Sequence, residues 1–174
     1  MYYSLPRSRT LRMTLTGMFT AMNVILSMSV FSVPVPGGHL YFCDTVINAA
    51  AMLLDPFSAF IVGGVGSFLG DFFFYPAPMF VSLITHGLQA AAVSLISHRL
   101  AGRRPALASG VGVAAGSVIM VAGYTLGRAF VYSTPQYALV KLPFEVLQAA
   151  FGAAGAMLLC YPMRLKKLFE QVVR

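Results

Sequence analysis

The sequence predicts an all-α integral membrane protein of six transmembrane helices with both termini in the cytoplasm. Three observations lead there. Hydrophobic residues make up 58% of the 174-residue chain and charged residues 10%, against about 25% charged in a soluble domain. The apolar residues gather into runs, most of them near the roughly 20 residues that a bilayer-spanning helix needs. Ten of the twelve Lys and Arg residues fall on one side of those runs, the bias that keeps basic segments cytoplasmic. Arg7, Arg9 and Arg12 precede the first run, and Arg99, Arg103 and Arg104 separate the fourth from the fifth. Arg164, Lys166, Lys167 and Arg174 follow the last. The net charge of +7 is therefore a topology signal. It does not indicate nucleic-acid binding, because the basic residues flank apolar runs and are not interleaved with exposed aromatics.

The elements follow in order within one membrane domain, residues 1–174. The first span covers 10–33. Its apolar stretch, 15–33, exceeds the roughly 7–15 residues of a signal-peptide core and lacks a clear A-x-A cleavage site, so it reads as a retained helix. Pro34, Pro36, Gly37 and Gly38 close it with a rigid outer loop. The second span, 40–54, is short, and its outer end is expected inside the protein. Asp55-Pro56 suits an N-cap followed by the first helical position. The third span, 56–74, carries Gly63, Gly66 and Gly70 on a smooth face that another helix can approach. Gly64-Val65-Gly66 has no strand-turn-helix context for a dinucleotide site. With no Trp in the chain, Phe72, Phe73, Phe74 and Tyr75 supply an interfacial belt.

The fourth span covers 79–98 and the fifth 107–132, where Gly112 and Gly116 are spaced for close packing. The outer loop after it holds Ser133 to Tyr137. The sixth span covers 142–163. The basic tail, with Leu165, Leu168, Phe169 and Val172, is expected along the inner surface. Cys43 and Cys160 lie near opposite ends of different spans. A disulfide needs Cα atoms within about 7 Å, so both read as small buried apolar residues.

Chemistry is sought among the ionisable residues inside spans, since each costs about 2.5–3.5 kcal/mol to insert and so faces a cavity or a partner. Asp44 opens the second span, with Asn48 one turn deeper. His86 sits in the outer half of the fourth, flanked at one turn by Ser82 and Gln89. Arg128 ends the fifth, with Tyr124 and Tyr132 at i−4 and i+4. Lys141 opens the sixth, followed by Glu145 and Gln148. These residues come from different helices yet share one depth. They form either salt bridges that pin helix ends, with Lys141–Glu145 as a local pair, or a polar pocket open to the outside for a small hydrophilic molecule. Asp71 is assigned to the aromatic belt and His39 to a solvated loop. His39, His86, Asp44 and Glu145 are metal-ligand types, but no two His share a helix face, and no metal site is assigned. No nucleophile–base pair stands at catalytic spacing, which argues against an enzyme. No phosphate-loop motif is present either, so any powered transport needs partners.

At this point the residues resemble a family. Tyr41-Phe42-Cys43-Asp44-Thr45-Val46-Ile47-Asn48-Ala49-Ala50 looks like the second-helix entry of the substrate-binding S components of energy-coupling factor (ECF) vitamin importers. Gly63 to Asp71 resembles their Gly-rich third helix ending in Asp. Thr85-His86-Gly87-Leu88-Gln89 resembles their fourth-helix segment, and Leu142-Pro143-Phe144-Glu145-Val146-Leu147-Gln148 the start of their sixth. Cys43, His86 and Glu145 depart from the usual Gly, Lys and Asn, within the proposed pocket. The start Met1-Tyr2 lacks the Met-His of the nickel and cobalt members.

The resemblance is to the riboflavin/hydroxymethylpyrimidine/pyridoxine-like group. It implies a subunit of a prokaryotic plasma membrane that captures a vitamin or vitamin precursor outside. The chain itself would bind no cofactor. It would deliver its ligand to a membrane coupling protein driven by two ATPase subunits that use ATP and Mg. A flat heteroaromatic cargo would suit the aromatic and hydrogen-bonding mix around Tyr41, Asn48, Tyr124 and Gln148, and the expected substrate-binding set is Tyr41, Asp44, Asn48, Ser82, His86, Tyr124, Arg128, Lys141, Glu145 and Gln148. Gly17-x-x-x-Ala21 resembles the small-residue motif that touches the coupling protein, with intramolecular packing as the other reading. Segments 34–39 and 133–140 would act as lids. A self-sufficient small transporter or channel, and a membrane scaffold, stay open as alternatives.

Overall fold

The computed structural model describes residues 8–28, 32–36, 38–100 and 104–173. Arg7, Arg103 and Arg174 of the basic ring, and Gly37 of the outer turn, lie outside the described residues. Among the described residues, four helices are long and apolar enough to cross a membrane: Pro56–Phe74, Met79–Arg99, Pro105–Tyr132 and Pro135–Cys160. The chain is a multi-pass membrane protein.

Helix α1 (Arg9–Leu26) begins at Ser8, whose side chain accepts from the Leu11 N–H. It ends short of the expected residue 33 and is not among the four apolar helices. Thr10, Thr14, Thr16, Thr20 and Asn23 interleave with its apolar residues and lower its hydropathy. The expected loop after it holds a two-stranded antiparallel hairpin, β1 (Ser32–Val35) and β2 (Gly38–Tyr41), on an otherwise all-helical fold. Pro34 is tolerated because the ribbon has only two strands and each is an edge. Gly38 has φ 138°, a conformation that a side chain would strain.

Helix α2 (Cys43–Leu53) is 11 residues long and, Thr45 apart, buried along its whole length. A helix apolar on all sides belongs inside a bundle, and α1, the fourth span and the last long helix surround this one. The turn after it forms as expected. Asp55 accepts from the Ser58 N–H at 3.1 Å and the Ser58 hydroxyl at 2.7 Å, with Arg12 3.8 Å away. Burial works against its charge, but these hydrogen bonds and Arg12 outweigh it and hold the carboxyl below its ordinary range.

Helices α3 (Pro56–Phe60) and α4 (Gly66–Phe74) are joined by a π-helical stretch, 61–65. The glycines here serve two neighbours rather than one. A Cβ on Gly63 would strike the His86 carbonyl and lie 2.9 Å from Ala90 Cβ, both on α5 (Met79–Arg99). A Cβ on Gly66 would lie 2.6 Å from Asn23 Nδ2, and one on Gly70 2.6 Å from Ser27 Cβ, both beyond α4 toward α1. Helix α6 (Pro105–Gly127) packs on α5 through Gly112 and Gly116, as their spacing predicts. It continues into a second π-helical stretch, 128–132.

Helix α7 (Pro135–Cys160) starts seven residues before the expected 142, and residues 135–140 are its opening turns rather than a loop. Thr134 caps it by accepting from the Tyr137 N–H, and Pro135 takes a first-turn position where its missing N–H costs nothing. Pro143 lies inside the helix, removing one backbone hydrogen bond. Helix α8 (Leu165–Val173) is amphipathic, as the tail sequence predicts, and it also docks on the bundle. Phe169 is buried with Leu53, Leu54 and Val62, against Leu11, Leu15 and Phe19. Cys43 and Cys160 are free and buried.

These contacts predict that Gly63→Ala lowers the thermal unfolding midpoint of the purified protein, at a cost of about 1–3 kcal/mol from overpacking. Gly17→Ala, with no atom of the described residues within 4 Å of the added Cβ, should leave that midpoint unchanged.

Candidate ligand-binding site

The site grows from the first turn of α2. Asp44 has no exposed surface. Its Oδ1 accepts from Gln89 Nε2 at 3.1 Å and its Oδ2 from Gln148 Nε2 at 2.7 Å. Helix α7 can pass this close because residue 152 is glycine, where a Cβ would collide with Asp44 Cβ. His86 Nδ1 lies 2.7 Å from Gln89 Oε1 and 3.8 Å from Asp44 Oδ1. Because the Gln89 amide nitrogen is committed to Asp44, its oxygen accepts, which makes His86 Nδ1 the donor. Gln89 Nε2 also reaches Asn48 Oδ1 at 3.4 Å. The Asn48 Nδ2 has no partner among the described residues.

A second group joins α4, α5 and α6. Ser82 Oγ donates to Asp71 Oδ2, which leaves the Tyr124 hydroxyl to donate to Ser82 Oγ. The Tyr124 ring meets His86 edge-on at 5.2 Å. A third group links the end of α6 to α7. Arg128 pairs with Glu145, whose other oxygen accepts from Thr125 Oγ1 at 3.2 Å. The Arg128 guanidinium also lies 5.5 Å from the Tyr132 ring centroid. The expected Lys141–Glu145 pair does not form: Glu145 takes Arg128, and Lys141 Nζ donates instead to the His39 carbonyl at 2.7 Å. Gln148 Oε1 accepts from the Tyr41 N–H at 3.1 Å. Lys141 and Gln148 thus both tie β2 to α7. Burial and the neighbouring Asp71 push the Tyr41 phenol up to about 12.

These groups surround a cavity of about 220 Å³. Of the ten residues singled out in the sequence, Tyr41, His86, Tyr124, Arg128, Lys141, Glu145 and Gln148 line it directly. Asp44 and Ser82 are not in that lining but hold Gln148, Asp71 and Tyr124 through the bonds above, and Asn48 accepts from Gln89. Asp71 is a correction of role. It lines the cavity as well as preceding an aromatic run, and Ser67 one turn earlier on α4 lines it too. A Ser and an Asp at i and i+4 in an apolar span were the legible signal. Gln89, the hub of the Asp44 network, and Tyr132, which lines the wall, were missed as site residues. His39 is exposed, as expected, but it borders the cavity mouth. Cys43, Asp44 and His86 bring a thiol, a carboxylate and an imidazole within 4.8 Å of one another. Both carboxylate oxygens of Asp44 are occupied by glutamine amides.

On the other side of α1, Gly17 and Ala21 are exposed and line an apolar groove with Thr20, Val24, Phe57 and Ile61. Among the described residues, no atom lies within 4 Å of where a Gly17 side chain would begin.

Three similarities accompany this geometry. The profile of the family described as "ECF-type riboflavin transporter, S component" matches residues 7–167. An "Uncharacterized protein in gap 3'region" of Pyrococcus woesei is 29% identical over 131 residues, which is 74% of this chain and 86% of that protein. A solved structure described as "Structure and mechanism of the S component of a bacterial ECF transporter" superposes with a TM-score of 0.70 at 18% identity. That superposition covers 92% of this chain and 99% of the other, and it shows a shared fold.

The Arg128–Glu145 pair is buried, and removing one member of such a pair strands the other charge. Glu145→Leu alone should cost about 3–5 kcal/mol, and Arg128→Met combined with Glu145→Leu should recover most of it. Thermal unfolding of the single and double variants in one detergent measures the difference.

Proposed function

The chain belongs to the ECF-type riboflavin transporter S component family, and from that premise we propose that it is the substrate-capture subunit of an ATP-driven importer. Its cargo is a water-soluble vitamin or precursor of the hydroxymethylpyrimidine, pyridoxine or riboflavin class. The observation that carries this reading is the convergence of Asp71, His86, Arg128, Lys141, Glu145 and Gln148 on one cavity in a chain that is otherwise apolar. A membrane protein that buries this many hydrogen-bonding groups around empty space has a polar molecule to receive.

In this reading the chain crosses the plasma membrane of a prokaryote six times, α1 and α2 included, with both termini cytoplasmic. The cavity then opens outward and the basic residues face inward. Tyr41, Tyr124 and His86 supply aromatic faces. Gln148, Arg128, Glu145 and Lys141 supply hydrogen bonds. Asp44, Asn48 and Ser82 position them. The hairpin, held by Lys141 and Gln148, covers the opening. The subunit catalyses no reaction and holds no cofactor. ATP and Mg act in two ATPase partners, reached through a membrane coupling protein. The exposed Gly17–Ala21 strip is the contact for that coupling protein, since small residues let helices meet and rotate at close range.

Two outcomes test this. Gln148→Ala removes a side chain that joins Asp44 to β2, and it should weaken ligand binding roughly ten- to hundredfold by titration calorimetry. Ala21→Leu should bind normally yet abolish uptake in vesicles that also contain the coupling protein and ATPases. Normal uptake by Ala21→Leu would remove the coupling role of this strip, and uptake by the chain alone would point to a self-sufficient carrier.

A further inference from the structure

Helix α1 borders both the cavity and the outer groove, and one of its residues is bonded toward each. Asn23 is fully buried on a helix whose Met18, Met22 and Ile25 are exposed. Its Nδ2 donates to the Val62 carbonyl at 2.7 Å and to Ser67 Oγ at 3.2 Å. Ser27 Oγ donates to the Asn23 carbonyl at 2.9 Å. Ser27 and Ser67 line the cavity. The approach is close because residue 66 is glycine, where a Cβ would lie 2.6 Å from Asn23 Nδ2. A buried amide is expensive unless its hydrogen bonds are made. Leucine has a similar volume without that cost, so what distinguishes asparagine here is what it bonds.

The Val62 carbonyl belongs to the π-helical stretch 61–65. Ile61 of that stretch lines the outer groove with Phe57, and α1 supplies Thr20, Ala21 and Val24. On another side the stretch meets α5: a Cβ on Gly63 would strike the His86 carbonyl, and one on Gly64 would lie 2.7 Å from the Leu83 carbonyl. The stretch therefore touches the groove, the Asn23 amide and the helix that carries His86. Residues 57–65 are themselves outside the cavity lining. A run of i→i+5 bonds has a discrete alternative, the α-helical ladder, and such stretches occur most often at functional sites. Coupling between two sites requires an element with two arrangements that both sites bias.

We infer that Asn23 is a positioning residue that joins the two sites, so that occupancy of the cavity sets the shape of the α1 groove. This rests on the reading of the cavity as the capture site and of the groove as the coupling contact, and it adds how the second responds to the first. A ligand that engages Ser27, Ser67 or His86 acts on the partners of Asn23 and on the backbone against Gly63. The stretch 61–65 follows because Asn23 holds its Val62 carbonyl, and Ile61 carries the shift to the groove. The coupling protein then meets a differently shaped face on a loaded subunit than on an empty one.

The experiment follows backbone hydrogen exchange by mass spectrometry on the full-length protein in detergent, with and without riboflavin, pyridoxine or hydroxymethylpyrimidine. Residues 141–148 report capture, since Lys141, Glu145 and Gln148 line the cavity. Residues 57–65 report the groove. In the wild type, a probe that binds should slow exchange several-fold in both segments. Asn23→Leu should bind that probe within about tenfold of the wild-type affinity and keep the response at 141–148, yet lose the response at 57–65. In Ser67→Ala, which removes a single hydroxyl, the response at 57–65 should fall relative to that at 141–148. A packing role alone predicts that both responses weaken together, and that result overturns the inference. So does a wild type in which 57–65 stays silent, or an undiminished response there in every variant that folds. A response at 141–148 alone leaves the capture function standing. The absence of binding by every probe overturns both.

Discussion

The structure depends on a carboxylate held at the centre of an apolar bundle. Asp44 has no exposed surface and, among the described residues, no Lys or Arg ion pair, yet α5 and α7 are both bonded to it. Gln89 brings α5 to it and Gln148 brings α7. The start of α2 adds the positive end of a helix dipole, a contribution of about 0.3–1 kcal/mol and up to ~2 kcal/mol when partly buried. Gly152 is the steric counterpart, since any side chain there would push α7 away from Asp44. Through Gln148 the same network reaches the Tyr41 backbone, so the hairpin over the cavity is set by the residue that sets the helices. One polar centre thereby fixes both the wall of the site and its cover.

That arrangement explains why the cavity is polar while its supports are out of reach of a ligand. Asp44, Asn48 and Ser82 do not line it. They orient His86, Gln148, Asp71 and Tyr124, which do, or hold the Gln89 amide that orients His86. A site whose lining side chains are held by hydrogen bonds behind them is ordered before the ligand arrives, and it loses less entropy on binding. The outer surface of the bundle differs. Large apolar residues such as Phe57, Val118 and Leu139 are exposed, as a lipid-facing surface requires. The Gly17–Ala21 face of α1 is smooth rather than bulky, as the proposed coupling contact requires.

The sequence was most legible where one residue type has one physical use. Asp55-Pro56 marked the inner turn and the start of a span at the residue where it begins. The glycines of α4 and α6 marked close helix contacts. The depth shared by His86, Arg128, Lys141 and Glu145 marked side chains that gather at one cavity, with Asp44 beside them. Legibility failed where tertiary context decides between equal local choices. The last span was expected to begin at 142, but Thr134 and Pro135 begin the helix earlier. Lys141 and Glu145 have good i,i+4 spacing, yet the end of α6 supplies Arg128, a better partner for Glu145. Asp71 was read from its aromatic neighbours in sequence. Its place in the cavity follows from Ser82 and Tyr124 on other helices.

The central claim is that the polar cavity under the hairpin receives a small hydrophilic molecule. Native mass spectrometry of the protein purified from its membrane, followed by identification of what it releases, addresses that claim most directly. The account predicts one small heteroaromatic molecule per chain, released when Gln89 is changed to leucine and the Asp44 network is broken. A chain that carries no bound molecule but lipid, before and after incubation with vitamin-class compounds, would contradict it.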